Sequence, residues 1–434
     1  MRALIGCGWL VAILFTCSPW AAAAEDASGW SAKAPRAEQR PAFAPDQLRI
    51  TTGASLGDHG WYEKAFAVEG GKFYRFSVVR QTENVETPRR SALVRISWQD
   101  SQGRAVKADP PPGRENEAGP LPLAEPEHPL DGVTQDGWTT ITGIYRAPGK
   151  AARAVVELHL QWAPSSSVTW RNVIWEETSP PPARKVRLAA VHYRPSGKSP
   201  QQNNEEHAPL IAQAAEQKAD LVVLGETIPY VGVRKKPHEV AEPVPGPSTK
   251  YFGELATKHK LHLVTCLYEV ENDVVYNTAA LLGPDGQLIG KYRKVCLPHS
   301  EVESGVTPGK DYPVFETSLG KIGLMICYDG FFPEVARELT NNGAEIIAWP
   351  VWGCNPLLAR ARACENHVYV VSSTYTDAKQ NWMISAVIDH AGDVLAAGKE
   401  WGDVAIAEVD LSQRYFWRNN LGDFHNMVQR HRPE

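Results

Sequence analysis

One proline-rich run, Ser179-Pro180-Pro181-Pro182-Ala183-Arg184, separates two stretches of sequence whose hydrophobic rhythms are incompatible with a single layer pattern. Such a run is a semi-rigid spacer, so a domain boundary is expected near Arg184. Before it, from Trp61 to about Trp175, apolar residues alternate with polar ones. Lys72–Val79, Ala92–Trp98, Thr139–Tyr145, Ala152–Trp162 and Val168–Trp175 all keep period two, with turn residues between them. Helical periodicity is missing there, which makes residues 25–184 an all-β sandwich. Seven prolines between residues 109 and 129 interrupt the rhythm and mark a surface insertion.

After the spacer, strands alternate with helices. Val186–His192 reads as a strand and Asn204–Ala219 as a helix. Continuous apolar runs recur at residues 220–224, 261–267, 278–282, 322–326, 346–349 and 368–372, the mark of strands buried on both faces. Residues 185–434 are therefore an α/β domain. Composition agrees with two globular units: 434 residues, 43% hydrophobic and 22% charged, argue against wholesale disorder. A net charge of −5 denies the chain the basic footprint of a nucleic-acid binder.

Residues 1–24 read as a removable export signal. Arg2 precedes a short apolar core, Gly8 to Thr16, and Pro19 breaks it ahead of Ala21 to Ala24. The core is about half the length that a membrane span requires, so no transmembrane segment is expected. Cleavage after Ala24 gives a periplasmic or secreted protein with five cysteines, Cys266, Cys296, Cys327, Cys354 and Cys364. An odd number leaves at least one thiol outside any intrachain pairing, a candidate reactive group.

Chemistry collects where the apolar runs of the second half end. The run at 220–224 delivers Glu226, a carboxylate suited to a raised-pKa base. Basic residues lead to Lys294 in Gly290-Lys291-Tyr292-Arg293-Lys294. The strand at 322–326 runs straight into Cys327-Tyr328-Asp329, and Pro333-Glu334 then opens a helix. Unpaired backbone N–H groups at such a strand-to-helix turn favour a thiolate.

Glu226, Lys294 and Cys327, in this order and with these neighbours, resemble the Glu-Lys-Cys triad of the nitrilase superfamily of carbon–nitrogen hydrolases. Pro243-Val244-Pro245-Gly246-Pro247, Tyr276-Asn277-Thr278-Ala279, Pro308-Gly309 and Arg362-Ala363-Cys364-Glu365-Asn366 fall in family order, and the resemblance covers residues 186–411 almost continuously. It implies an α-β-β-α sandwich. It also implies attack by Cys327 on an amide or carbamoyl carbon, Glu226 as proton acceptor and donor, and an oxyanion held by Lys294 and the Tyr328 N–H. Neither a metal nor an organic cofactor is implied, and homo-oligomers are common in the family. A second family glutamate, between the lysine and the cysteine, is assigned to Glu303, with Glu301 as its competitor.

Leu224-Gly225 and Cys296 depart from the family pattern, the first at the pocket wall, the second as another thiol near the site. Tyr328-Asp329 after the cysteine is similar to amidase and carbamoylase branches, so amide hydrolysis is expected. A nitrilase, an N-acyltransferase and a ligand-binding protein without turnover are the alternatives. The first half resembles jelly-roll modules of the galactose-binding-like and carbohydrate-binding class through Trp98-Gln99-Asp100 and Gly137-Trp138. Seven of its residues are tryptophans, which implies either a packed core or sugar contacts. The substrate and the pairing of Cys266, Cys296, Cys354 and Cys364 are left open by the sequence.

Overall fold

The computed structural model describes residues 27–110, 121–380, 382, 384–414 and 424–432. The export signal read at residues 1–24 lies outside them. Two compact units divide between Pro180 and Pro181. Arg184, already part of the second, pairs with Glu345 at 2.6 Å.

In the first unit, the period-two runs become strands of two antiparallel sheets. One has the order Ser31–Lys33, His59–Ala67, Arg153–Gln161, Val94–Gln99. The other has the order Ala42–Phe43, Arg49–Thr51, Ser167–Thr178, Phe73–Glu83, Trp138–Arg146, Leu130–Gln135. Alternate residues of both, among them Ile96, Leu158, Phe76 and Val168, share one core. Most of the tryptophan rings are covered. Trp98 and Trp170 are buried, Trp175 stacks on Tyr74 with centroids 5.5 Å apart, and Trp61 stacks on His159. Trp162 is the exception, 47% exposed.

The second unit contains two six-stranded sheets. The first has the order Leu288–Arg293, Val274–Leu282, His262–Glu271, Leu221–Val223, Lys185–His192, Asp403–Asp410, and the second the order Val314–Thr317, Gly320–Leu324, Ile346–Val351, Tyr369–Thr374, Ala386–Ile388, Val394–Ala397. Each sheet centres on three parallel strands and closes with antiparallel ones. Leu188, Val223, Val264 and Leu281 of one sheet meet Leu324, Ile346, Ala348 and Val370 of the other in a shared core. The alternate residues of the first sheet, Ala189, Val222 and Leu263, pack on Ile211 and Ala214 of the helix Ala208–Glu216 and on Phe252 and Ala256 of Pro247–His259. Val335 and Leu339, of the helix Pro333–Asn341, and Ala363, of Pro356–Asn366, join the shared core beside the second sheet. The layering is α-β-β-α.

The helix expected over Asn204–Ala219 is instead two, Pro200–Glu205 and Ala208–Glu216. Pro209 in the first turn of the second helix lacks the N–H that a continuous helix needs, and buried His207 turns its ring nitrogen onto the Asn203 carbonyl at 2.7 Å.

Trp349, fully buried on the central strand of the second sheet, carries the turn that begins at Cys327. A Cβ added at Gly330 would stand 2.0 Å from its Cζ2. Gly330→Ala is expected to destabilise the protein by about 1–3 kcal/mol, as overpacking of a closed core does. A lower urea midpoint at unchanged slope is the check.

Candidate active site

The three triad residues sit just beyond the ends of strands of the two facing sheets. Glu226 comes after Leu221–Val223, Cys327 after Gly320–Leu324, and Lys294 after Leu288–Arg293. The structure brings the three together. Lys294 Nζ lies 2.9 Å from Glu226 Oε1, and the Cys327 thiol interacts with the same carboxylate and with the ammonium.

Two backbone turns aim these side chains. Thr227 (φ +43°) and Cys327 (φ +42°) both occupy the left-handed region, where a residue other than glycine is strained and a β-branched one strongly so. Asp329 holds the Cys327 turn in place. Fully buried, it accepts hydrogen bonds from the Ile326 N–H, the Cys296 N–H and the Tyr292 hydroxyl, each at 2.8 Å. It thereby ties the cysteine turn to the strand end that bears Lys294. Burial, opposed by these donors, pushes its carboxyl up to about 6.

Glu226 is saturated. Its Oε1 also accepts from Asn277 Nδ2 at 2.9 Å, and its Oε2 accepts from the Trp352 N–H at 2.9 Å. Lys294 is equally enclosed. Burial works against its ammonium, but the Glu226 carboxylate, with Glu301 adding to it, holds its pKa well above the ordinary lysine value.

Glu303, taken from the sequence as the second glutamate, does not reach this cluster. The helix His299–Glu303 places Glu301 and Glu303 about 200° apart around its axis. Glu303 is 66% exposed in its side chain and pairs with His299 at 3.1 Å. Glu301 turns inward, with Oε2 2.8 Å from Lys294 Nζ and Oε1 2.6 Å from Asn277 Nδ2. Burial, reinforced by Glu226, raises its pKa even against the pull of Lys294.

The thiolate expected at Cys327 is likewise not the resting form. Burial, with the Glu226 carboxylate next, pushes the thiol well above the usual cysteine value, and the sulfur donates toward the Gly353 carbonyl at 3.5 Å. The segment after it is a tight 3-10 turn, Cys327–Phe331, and the α-helix begins only at Pro333. A protonated cysteine beside a saturated carboxylate is a nucleophile that needs its base.

The two family departures also find places. The Tyr375 ring stands 3.1 Å from where a Cβ of Gly225 would be, so the missing side chain is replaced by an aromatic wall. The Cys296 thiol, pushed up to about 12 by burial and Asp329, packs against the core as a small apolar group. All five cysteines of the second unit are free thiols. Sequence reasoning gave no roles to Asn277, Asp329 or the backbone of Trp352 and Gly353. A lone Asn in the apolar strand Val274–Leu282 was the one signal available.

A family profile for carbon–nitrogen hydrolases matches residues 187–419, all within the second unit. A nitrilase of Pyrococcus abyssi is 34% identical over 262 residues, covering 57% of this chain and 98% of that protein. The omega-amidase NIT2 of Xenopus tropicalis is 32% identical over 252 residues, covering 52% of this chain and 89% of its own length. Among solved structures, Nit3 of Saccharomyces cerevisiae, a member of branch 10 of the nitrilase superfamily, is similar with a TM-score of 0.48 at 29% identity, over 52% of this chain and 90% of that one. With a profile match across more than half of its length, the chain belongs to the carbon–nitrogen hydrolases of the nitrilase superfamily.

Proposed function

We propose that the second unit hydrolyses a small amide or carbamoyl compound through a thioester on Cys327. The observation that carries this reading is the convergence of the Cys327 thiol, the Glu226 carboxylate and the Lys294 ammonium in one buried cluster. As the sulfur bonds to the carbonyl carbon, Glu226 takes the thiol proton. The oxyanion faces the Lys294 ammonium and the Tyr328 N–H. Collapse breaks the C–N bond, and Glu226 returns its proton to the departing nitrogen, which leaves as ammonia or an amine. Water then adds to the thioester, giving a proton to Glu226. The second collapse releases a carboxylic acid, and the proton returns to the Cys327 sulfur.

One observation favours an amide over a nitrile, Tyr328-Asp329 after the nucleophile; the similar proteins include both a nitrilase and omega-amidases. Ammonia release should therefore be highest from amides or carbamoyl compounds in a panel that includes nitriles. Cys327→Ala should lower it more than about 10³-fold. A mass increase on the Cys327 peptide equal to the acyl group is the direct sign of the thioester. Equal release by wild type and variant would remove Cys327 as nucleophile.

Glu301, on this reading, positions Lys294 and substrate. Glu301→Ala should cost about 10²-fold or more in kcat/KM because the ammonium loses one of its two carboxylates. Glu303→Ala, at an exposed pair, should stay within about twofold. The reverse order would return the role to Glu303.

We also propose that the chain is exported, on the strength of the apolar core and Ala21–Ala24. Expression in a Gram-negative host should yield periplasmic protein whose N-terminal sequence begins at Glu25. Cytoplasmic protein that keeps Met1 would refute it.

A further inference from the structure

Asn277 makes four connections in the cluster, and nothing in the proposed reaction employs it. Its side chain is fully buried. One amide nitrogen donates to Glu226 Oε1 at 2.9 Å and to Glu301 Oε1 at 2.6 Å, one hydrogen for each carboxylate. Its side-chain oxygen accepts from the Cys266 thiol at 3.2 Å. Its backbone carbonyl accepts from the Lys294 N–H at 2.9 Å.

These bonds have only one consistent orientation. A flipped amide would turn its oxygen toward two carboxylates and leave the Cys266 S–H facing a donor. Burial keeps that thiol protonated, with the nearby Glu226 charge adding to the effect, so it stays a donor. We infer that Asn277, locked by Cys266, is a positioning residue that holds Glu226 and Glu301 at a fixed spacing around Lys294 and supplies each carboxylate with a hydrogen-bond donor.

The physical reason is charge balance. Two carboxylates and one ammonium leave one negative charge uncompensated in a buried site. Lys294 and Asn277 are the two groups that bridge the pair, one charged and one neutral. Hydrogen bonds donated to a carboxylate favour its ionised form, so losing both Asn277 bonds lets the pair keep a proton to higher pH. The groups that face the pair are Lys294, Cys266, Cys327, Tyr268 and Tyr375. All but the ammonium are neutral at rest.

The inference rests on reading Cys327 as nucleophile and Glu226 as its base, so its test includes a readout that needs no amide substrate. Iodoacetamide alkylation of the Cys327 peptide, quantified by mass against pH, tracks removal of the thiol proton. In Asn277→Leu, the rise of alkylation with pH, and the acid limb of kcat/KM, should move up by about one pH unit, as loss of hydrogen bonds to a charged group implies. KM should change less than kcat. Cys266→Ala should move both in the same direction by a smaller amount, and Cys266→Ser, which restores a donor, should return them to wild type. Wild-type profiles in both Asn277→Leu and Cys266→Ala overturn the inference. If circular dichroism shows Asn277→Leu to be unfolded, the Cys266 pair decides: an Ala shift rescued by Ser supports it, and no shift overturns it. Absence of amide turnover in the wild type would count against the proposed reaction, while the alkylation profiles still judge the role of Asn277.

Discussion

The ammonium of Lys294, buried between the carboxylates of Glu226 and Glu301, is the interaction on which the site depends. Removing such charges from water is costly, and it succeeds only where geometry and further hydrogen bonds offset the loss of solvent. Here the compensation is spread over several strands. The Trp352 N–H reaches Glu226 from the end of a strand in the second sheet, while Asn277 reaches both carboxylates from within the first. The two sheets can thus face each other across an apolar core and still meet at one end through charged groups. Removing Lys294 would leave two buried carboxylates without a counter-charge, and removing Asn277 would take a donor from each of them.

Around that cluster, local strain and local support are matched. Cys327 and Thr227 each hold a left-handed backbone that aims a side chain into the site, and such conformations persist only where the surroundings over-determine them. Asp329 supplies this at one turn with three accepted hydrogen bonds, and the Trp349 ring closes the floor beneath Gly330. The Tyr375 ring lies beside Gly225 at the other turn. Rigidity comes here from the core rather than from the loops themselves, which matches the placement of both turns after strand ends that are buried, Leu221–Val223 and Ile322–Leu324.

Much of this was legible in sequence, and the reason is periodicity. Uninterrupted apolar runs such as Leu221–Val223 and Ile346–Val351 are buried on both faces, so the ends of such runs are easily located. Glu226 and Cys327 are then found as the polar residues just beyond two of those ends. Lys294 was legible only through its neighbours, because a lysine after Lys291 and Arg293 looks like a solvated edge by composition alone. The inward choice of Glu301 over Glu303 was not legible, since it depends on the phase of a five-residue helix too short to show a pattern. The break at His207 was hidden for a different reason: Pro209 is tolerated in the first turn of a helix, and only the buried ring of His207 fixes where that turn begins. In the first unit, the alternation located the strands Phe73–Glu83, Val94–Gln99, Trp138–Arg146, Arg153–Gln161 and Ser167–Thr178, but strand order rests on long-range pairings such as Trp61 with His159 that no local pattern encodes.

The protonation of Cys327 links these points. A strand-to-helix turn suggests a thiolate as long as only the backbone is considered, because exposed N–H groups favour negative charge. Once the side chain is buried beside Glu226, desolvation and the neighbouring carboxylate outweigh that preference and keep the proton on sulfur. An anionic sulfur would add a further negative charge to a cluster that already holds two carboxylates against one ammonium. Keeping the thiol neutral spares the resting site that further charge. Deprotonation is then deferred to the moment of attack, when the charge passes from sulfur to the carbonyl oxygen of a bound substrate beside Lys294. In such a site the base must be both close and ionised, which makes the partners of Glu226 as consequential as the nucleophile they serve.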